Sequence, residues 1–204
     1  MAQQANVETE IKIAMESASE AAAKLAAAGL VPTGPRAFES NIVWDFDDSR
    51  LRASNQLLRL RDYRGQAVLT YKGPPKPSRH KTREELELTL ADPGTLSLIL
   101  QKLGLEPRYR YEKYRTEFAS PGAPGVATLD ETPIGVFVEL EGRAEWIDAT
   151  AQAMGTRPED YILHSYSRLW EDYAARLGLA AGNGMVFDAT LCQGVSLNRD
   201  SDRT

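Results

Sequence analysis

The chain has 204 residues, 42 % of them hydrophobic and 26 % charged, and a formal net charge of -5 at pH 7. This length suits a single globular domain with a sizeable core, and the acidic balance argues against a nucleic-acid-binding protein, which is usually basic. No run approaches the roughly 20 apolar residues of a membrane-spanning helix, so a membrane partner is not expected.

Side chains alternate strictly at the start of the chain and predict a first strand over Val7–Ile13. One face of this strand carries only charged residues, which are Glu8, Glu10 and Lys12. The segment Glu16–Ala28 is rich in Ala, Glu and Lys and predicts a helix that ends at Gly29. Residues 36–45 predict a second strand, and residues 45–55 predict a polar turn region.

Six further strands and three further helices are predicted in the rest of the chain. The strands are expected at residues 57–63, 67–72, 81–90, 109–118, 126–130 and 134–142. The helices are expected from Asp92 to about residue 103, over 143–154, and over 158–177 with a break near Leu163. The last helix carries a mostly aromatic stripe, interpreted as core packing, of Tyr166, Leu169, Trp170 and Tyr173.

A basic loop is predicted over Gly73–Lys81, because its three prolines exclude a helix or a central strand. Two interpretations stay open for this loop: a solvated connector between strands, or a mobile lid over an anion. The two histidines of the chain, His80 and His164, are not spaced as a metal-binding pair.

The folded domain is expected at residues 7–177, with 1–6 as a flexible N-terminus and 178–204 as a tail. The single cysteine, Cys192, cannot form a disulfide within the chain, which suits a reducing compartment. Since residues 1–6 also lack a secretion-signal pattern, the expected location is the cytoplasm.

The alternation of the first strand recurs along the chain, and the charged faces together hold charges of both signs. The further charged positions on these faces are Arg59, Arg61, Lys72, Arg83, Glu85, Glu87, Lys113, Arg115, Glu117, Asp130, Glu139 and Glu141. Two architectures fit: a sheet with its charged face in solvent, or a barrel closed around a charged lumen and clad in helices. Alternation alone favours the solvated sheet, because charged strand faces usually lie in water.

The order of these segments, however, resembles the CYTH proteins, also called triphosphate tunnel metalloenzymes. The first strand matches their E-x-E-x-K signature with Glu8-Thr9-Glu10-Ile11-Lys12. The later pieces follow in the family's order, as Arg59-x-Arg61, Lys72, Arg83-x-Glu85-x-Glu87, Lys113-x-Arg115, Asp130 and Glu139-x-Glu141. The resemblance covers about residues 7–175 and implies an α+β fold, a closed eight-stranded antiparallel barrel with helices packed on its outside.

Inside this tunnel the resemblance implies a triphosphate and a divalent cation, Mg²⁺ or Mn²⁺. Carboxylates repel phosphate but bind hard cations, and the implied metal ligands are Glu8, Glu10, Asp130, Glu139 and Glu141. Cationic side chains match phosphate oxygens, and the implied phosphate ligands are Lys12, Arg59, Arg61, Lys72, Arg83, Lys113 and Arg115. The candidates for positioning an attacking water are Lys12, Glu85 and Glu87.

A metal-dependent triphosphatase is the reaction we expect, with inorganic triphosphate or a nucleoside or other organic triphosphate as its small-molecule substrate. The alternatives are a class IV adenylyl cyclase, which makes cyclic AMP and pyrophosphate from ATP, and a non-catalytic triphosphate-binding protein. Class IV cyclases carry a His-Phe pair upstream of the first strand, and animal thiamine triphosphatases carry a Trp before the basic strand. Residues 1–6 and 55–58 contain neither feature. The sequence leaves homodimer formation open.

Overall fold

The structure is a computed structural model that describes residues 6–180, 182 and 184–187. The strands within them are β1 (Asn6–Met15), β2 (Val31–Pro32), β3 (Ala37–Phe46), β4 (Leu57–Tyr63), β5 (Gln66–Lys72), β6 (Lys81–Leu90), β7 (Leu105–Ala119), β8 (Gly125–Thr132), β9 (Gly135–Gly142) and β10 (Gly184–Met185). The helices are α1 (Ala18–Ala27), α2 (Arg50–Ala53), α3 (Pro93–Lys102), α4 (Ala144–Ala153) and α5 (Tyr166–Leu177). Residues 1–5 and most of the predicted tail, including Cys192, lie outside the described residues.

Eight strands close into an antiparallel barrel in the order β3-β4-β5-β6-β1-β9-β8-β7, and β7 pairs back onto β3. The first strand bridges two distant parts of the chain, because residues 6–10 pair with β6 and residues 10–15 pair with β9. The predicted closed barrel is therefore confirmed, and the solvated-sheet alternative is excluded. None of the helices in the described part of the chain is long and apolar enough to cross a bilayer.

Apolar packing on the outside of the barrel decides which strand faces turn inward. Ile11 of β1 and Val138 of β9 are fully buried in one cluster with Leu25 of α1 and Ile147 of α4. Burying such a side chain stabilises the fold by about 1.5–3 kcal/mol. Because neighbouring side chains on a strand point to opposite faces, the charged neighbours of these residues must face the lumen.

The helices α3 and α5 cover other parts of the barrel. Trp44 of β3 packs with Leu100 of α3 in a second cluster. A third cluster joins α5 to the barrel through Tyr166 and Trp170, as the predicted apolar stripe implied, and includes the buried Met185 of β10. The helix predicted over 158–177 is broken as expected, into a 3₁₀ turn at Pro158–Asp160 and α5. The part of the barrel that contacts α5 is thus covered by a packed, mostly aromatic cluster.

Candidate functional site

The lumen encloses a cavity of about 430 Å³. Its lining includes nearly all of the side chains singled out from the sequence, namely Glu8, Glu10, Lys12, Arg59, Arg61, Lys72, Arg83, Glu85, Glu87, Lys113, Arg115, Glu117, Glu139 and Glu141. Asp130 is fully buried behind this lining. The structure therefore brings the predicted residues into one space, while their roles stay proposals.

Carboxylates of β1 and β9 form one wall of the lumen. The register pairs Glu10 with Glu141 and Lys12 with Glu139. Strand β9 is the fourth strand from β4 in either direction around the ring. The carboxylates of β9 consequently lie opposite Arg59 and Arg61 of β4.

Most carboxylates of this wall are paired with an ammonium group. Glu8 Oε1 lies 2.5 Å from Lys72 Nζ, and Glu10 Oε1 lies 2.8 Å from Lys81 Nζ. The same carboxylates are also within ion-pair distance of Arg83. In this arrangement no group of three or more His, Cys, Asp or Glu side chains among the described residues forms a ready cation site. A metal ion at this wall would have to displace lysine ammonium groups from these oxygens.

Glu141 differs from its neighbours, because none of the described cations lies within ion-pair distance of it. Desolvation within the lumen and the negative charges of Glu8, Glu85 and Glu10 together raise its pKa to about 7 against the effect of Lys72, although the residue is exposed. Burial likewise raises the pKa of Glu85, although Lys72 Nζ lies 3.1 Å away. This part of the wall has more carboxylate than cation, and the donor set fits a hard divalent ion.

Lys12 is held between two carboxylates of the wall. Its Nζ lies 2.9 Å from Glu139 Oε1 and 3.7 Å from Glu10 Oε1. Burial alone would lower the pKa of Lys12, but Glu10 and Glu139 raise it above its usual value. The side chain is therefore an ammonium cation and has no free pair of electrons with which to accept a proton.

The opposite wall carries two arginines that lack close anionic partners. Arg59 donates to Tyr111 Oη at 3.2 Å and to Thr70 Oγ1 at 3.3 Å. The nearest carboxylate, Glu87, lies 4.0 Å from Arg59 and 3.8 Å from Arg61. The Nε atoms of both arginines are buried without a hydrogen-bond partner among the described residues. Two guanidinium groups with free donors are suited to bind an anion.

A buried network fixes the cations of β7. Lys113 Nζ lies 2.8 Å from Asp130 Oδ2, and Arg115 donates to both oxygens of Asp130 at 2.6–2.7 Å. The hydroxyl of Tyr166 donates to Asp130 Oδ2 at 2.7 Å. Glu39, also fully buried, lies 3.4 Å from Lys113 Nζ. Asp130 thus orients two cations, and its oxygens are already occupied by these partners.

Sequence reasoning missed four residues of the lumen. Glu39 lies in a strand without clear charge alternation, and Tyr111 was assigned no role. Lys81 was interpreted as part of the basic loop, but it lines the cavity two positions before Arg83. Burial, together with the positive charges of Lys12 and Arg83 and against the effect of Glu10, lowers the pKa of Lys81 to about 8. Its two-residue spacing from Arg83 was the signal that could have revealed it.

Tyr166, the fourth missed residue, combines packing with a polar contact. Its ring belongs to the aromatic cluster under α5. The centre of the ring lies 5.2 Å from Lys12 Nζ and 5.0 Å from Lys113 Nζ. The prediction of core packing was therefore right but incomplete, because the hydroxyl reaches into the network of Asp130.

The basic loop is tied to α4. His80 is 5 % exposed, and its Nε2 lies 2.9 Å from Asp148 Oδ1. Tyr161 donates to the same oxygen at 3.1 Å, and Arg79 pairs with the other oxygen. His80 therefore has a structural partner, whereas His164 is exposed.

Known proteins resemble this chain in sequence. The family model of the CYTH domain matches residues 6–166. A curated protein of Methanocaldococcus jannaschii, named "Putative adenylate cyclase", is 29 % identical over 136 residues. The match covers 66 % of this chain and 76 % of that protein.

Solved structures resemble it in fold. A "putative adenylate cyclase" from Vibrio parahaemolyticus superposes with a TM-score of 0.72 at 19 % identity, over 82 % of this chain and 99 % of that one. A "putative adenylyl cyclase" from Hippeastrum, whose structure is described as revealing a dominant triphosphatase activity, superposes with a TM-score of 0.57 at 18 % identity. That match covers 85 % of this chain and 97 % of the Hippeastrum chain. The likeness to these structures shows the fold, and the match to the family model over most of its length shows that the chain belongs to the CYTH family.

Proposed function

We propose that the protein hydrolyses a triphosphate-containing substrate inside its lumen, in a reaction that depends on Mg²⁺ or Mn²⁺. One observation carries the proposal: Arg59 and Arg61 have buried, unpartnered Nε atoms and lie opposite the carboxylates of β9. A polyphosphate placed between these walls would supply acceptors to the arginines. A divalent cation would lie between the phosphate oxygens and the carboxylates of β9.

The cations of the lumen would hold the phosphates. Arg59 and Arg61 would each bind two phosphate oxygens through the planar guanidinium fork. Lys113 and Arg115, already oriented by Asp130, would contribute without further loss of side-chain freedom. The remaining proposed phosphate ligands are Lys12, Lys72 and Arg83.

Water would attack the terminal phosphorus, and orthophosphate would leave. Lys12 is protonated, so its part in this step is to stabilise negative charge and not to accept a proton. Orientation of the attacking water is then assigned to the lumen carboxylates Glu85 and Glu87. Glu85 suits this part better, because Glu87 lies at the rim with 44 % of its side chain exposed.

The divalent ion would be held by Glu8, Glu10, Glu139 and Glu141. When bound, it would neutralise charge that develops on the phosphate oxygens. Asp130, which accepts from Lys113, Arg115 and Tyr166, is proposed to orient the two cations.

Adenylyl cyclase activity is the second candidate, favoured by the name of the Methanocaldococcus jannaschii relative. In that reaction the ribose 3′-hydroxyl of ATP would attack the α-phosphorus and pyrophosphate would leave. The Hippeastrum protein also bears a cyclase name, but its structure is described by a dominant triphosphatase activity. This description favours hydrolysis for the present chain.

A product assay separates these functions. The purified protein would be incubated with inorganic triphosphate, ATP or thiamine triphosphate, with Mg²⁺ or Mn²⁺. Release of orthophosphate supports the proposal, whereas cyclic AMP with pyrophosphate, or binding without turnover, overturns it. A double variant, Arg59→Ala with Arg61→Ala, purified in parallel would reveal contaminating phosphatases, because it should lose the activity of the protein itself.

A further inference from the structure

A short C-terminal segment covers the edge of β7 where β8 does not reach. Strand β8 pairs with β7 only over residues 114–118, so the earlier part of β7 has β3 on one side and no pairing with β8 on the other. Strand β10 fills part of this edge and pairs in parallel with Arg110 and Tyr111. Residues 184–187 are called the C-terminal strap below. The strap lies beyond residues 6–166, which the CYTH family model matches.

Several contacts fix the strap on β7. The backbone N–H of Phe187 donates to Glu112 Oε2 at 3.1 Å, and the rings of Phe187 and Tyr114 lie with 5.3 Å between their centroids. At Gly184 the two backbones approach so closely that a Cβ atom would lie 2.7 Å from the carbonyl oxygen of Arg110. Since glycine alone lacks a Cβ atom, the sequence of the strap is fitted to this pairing.

Met185 joins the strap to the aromatic cluster under α5. Its side chain is fully buried and belongs to the same cluster as Tyr111, Tyr166 and Trp170. The rings of Tyr111 and Tyr166 are neighbours there, with 6.0 Å between their centroids. Methionine fills irregular space beside aromatic rings well, because its side chain is unbranched and its sulfur is polarisable. Met185 thus helps to fix the positions of these rings.

The hydroxyls of the two tyrosines contact charged groups of the site. Tyr111 accepts from Arg59 at 3.2 Å, and Tyr166 donates to Asp130 Oδ2 at 2.7 Å. Asp130 in turn accepts from Lys113 at 2.8 Å. The ring centre of Tyr166 also lies 5.0 Å from Lys113 Nζ. The placement of the two rings therefore influences where Arg59 and Lys113 are held.

We infer that the C-terminal strap is a positioning element of the lumen, in which Met185 acts through Tyr111 and Tyr166 on the phosphate-binding cations. The inference rests on the proposed function and adds to it a segment outside the cavity lining. A packed interior transmits strain, so a gap left by Met185 would let the rings move. A misplacement of about 1 Å in a site can cost about 100-fold in rate. Loss of the strap contacts should therefore weaken phosphate binding while the barrel stays folded.

The test measures how the full-length protein binds the bis(methylene) analogue of inorganic triphosphate, which cannot be hydrolysed, in the presence of Mg²⁺. Calorimetry well below the melting temperature gives Kd and the number of sites per chain. The variants are Met185→Ala, the conservative Met185→Leu, Gly184→Val and Phe187→Ala. Leu177→Ala is the matched control, because Leu177 ends α5 and is 56 % exposed. Melting curves show which variants fold, and Gly184→Val and Phe187→Ala keep the test valid should Met185→Ala fail to fold.

We expect Kd to rise about tenfold in Met185→Ala and in Gly184→Val and about threefold in Phe187→Ala, with the number of sites unchanged. In Met185→Leu, Kd should stay within about twofold of the wild type, and in Leu177→Ala it should not change. A role in stability alone would lower the number of binding-competent molecules and leave their Kd as in the wild type. That result would overturn the inference.

A double-mutant cycle tests whether Met185 acts through the two hydroxyls. Tyr111→Phe combined with Tyr166→Phe keeps both rings but removes the contacts with Arg59 and Asp130. In this background Met185→Ala should raise Kd less than about twofold, because the contacts through which it acts are already gone. A tenfold rise there would overturn the inference and leave the proposed function standing. A wild type that does not bind the analogue would overturn the proposed function itself, and the inference with it.

Discussion

Glu39 and Lys113 pair across the β3/β7 ladder with 3.4 Å between Oε1 and Nζ, and at most 2 % of either side chain is exposed. Burial alone would raise the pKa of Glu39, but Lys113 and Arg115 hold it at about 2. The folded protein therefore keeps this carboxylate ionised at pH values where an unfolded chain, with an ordinary pKa of 4.5, would protonate it. The pair links the stability of the barrel to pH.

The first prediction concerns acid stability. Because the folded-state pKa of Glu39 is depressed, its contribution is complete above about pH 4.5 and is lost as the pH falls towards about 2. Glu39→Gln should lower the free energy of unfolding at pH 7 by about 3 kcal/mol, since Lys113 loses a buried partner. The difference from wild type should shrink between pH 4.5 and 2, as urea unfolding at several pH values can measure. The exposed Glu145→Gln is the control, and a pH-independent difference would contradict the prediction.

The second prediction concerns the metal. Turnover should require Mg²⁺ or Mn²⁺ and vanish with excess chelator, because Glu141 and its neighbours form a wall with more carboxylate than cation. Glu10→Gln should keep the fold but lose most activity, and Glu141→Gln should need a higher metal concentration for half-maximal rate. Glu84→Gln, at an exposed position of β6, should behave as wild type. Full activity of the wild type in metal-free buffer would contradict the proposed dependence on a divalent metal ion.

The third prediction concerns ligand-induced stabilisation. Arg59 and Arg61 lie on one strand without a close anionic partner and repel one another until a polyanion enters, so triphosphate with Mg²⁺ should raise the melting temperature. The rise should shrink strongly in Arg59→Ala and in Arg61→Ala, while both variants melt normally without ligand. Arg50→Ala, which removes an exposed arginine, should keep the full rise. An undiminished rise in both lumen variants would mean that these arginines do not contact the ligand.

The fourth prediction concerns the basic loop. The contact of His80 with Asp148 holds residues 73–80 against α4, so Asp148→Ala should speed amide hydrogen exchange there and trypsin cleavage after Arg79. Exchange in the barrel strands should not change. Asp172→Ala on the exposed face of α5 is the control. Equal protection of the loop in Asp148→Ala and wild type would show that this contact does not restrain it.

Most strands with clear alternation could be predicted from the sequence to within two residues. The bounds of β4 and β6 agree with the predicted 57–63 and 81–90. Strand β7, predicted to begin at residue 109, begins at Leu105, because residues 105–107 pair with the end of β3. Pro107 and the charged residues beside it do not favour a strand, so the sequence does not predict this extension of β7. Pairing with β3 stabilises it.

The chemistry of the lumen could be predicted where one strand carries charges at alternate positions. Glu39 escaped because its strand mixes polar and apolar residues on both faces and is interrupted by an irregularity at Val43 and Trp44. The hydrogen bond of Tyr166 was not predicted, because an apolar stripe on a helix indicates packing but not where a tyrosine hydroxyl points. The contacts of Glu39 and Tyr166 join segments that are far apart in the sequence. The spacing of residues along the chain does not predict such contacts.

The position of β1 between β6 and β9 also governs how the chain folds. Its partners lie at residues 81–85 and 136–141, so during synthesis the first strand has no partner until β6 is made and keeps one open edge until β9 follows. Contacts so far apart in sequence are slow to form, and an open edge invites pairing with other chains. Refolding at low protein concentration should therefore give a higher yield than refolding at high concentration.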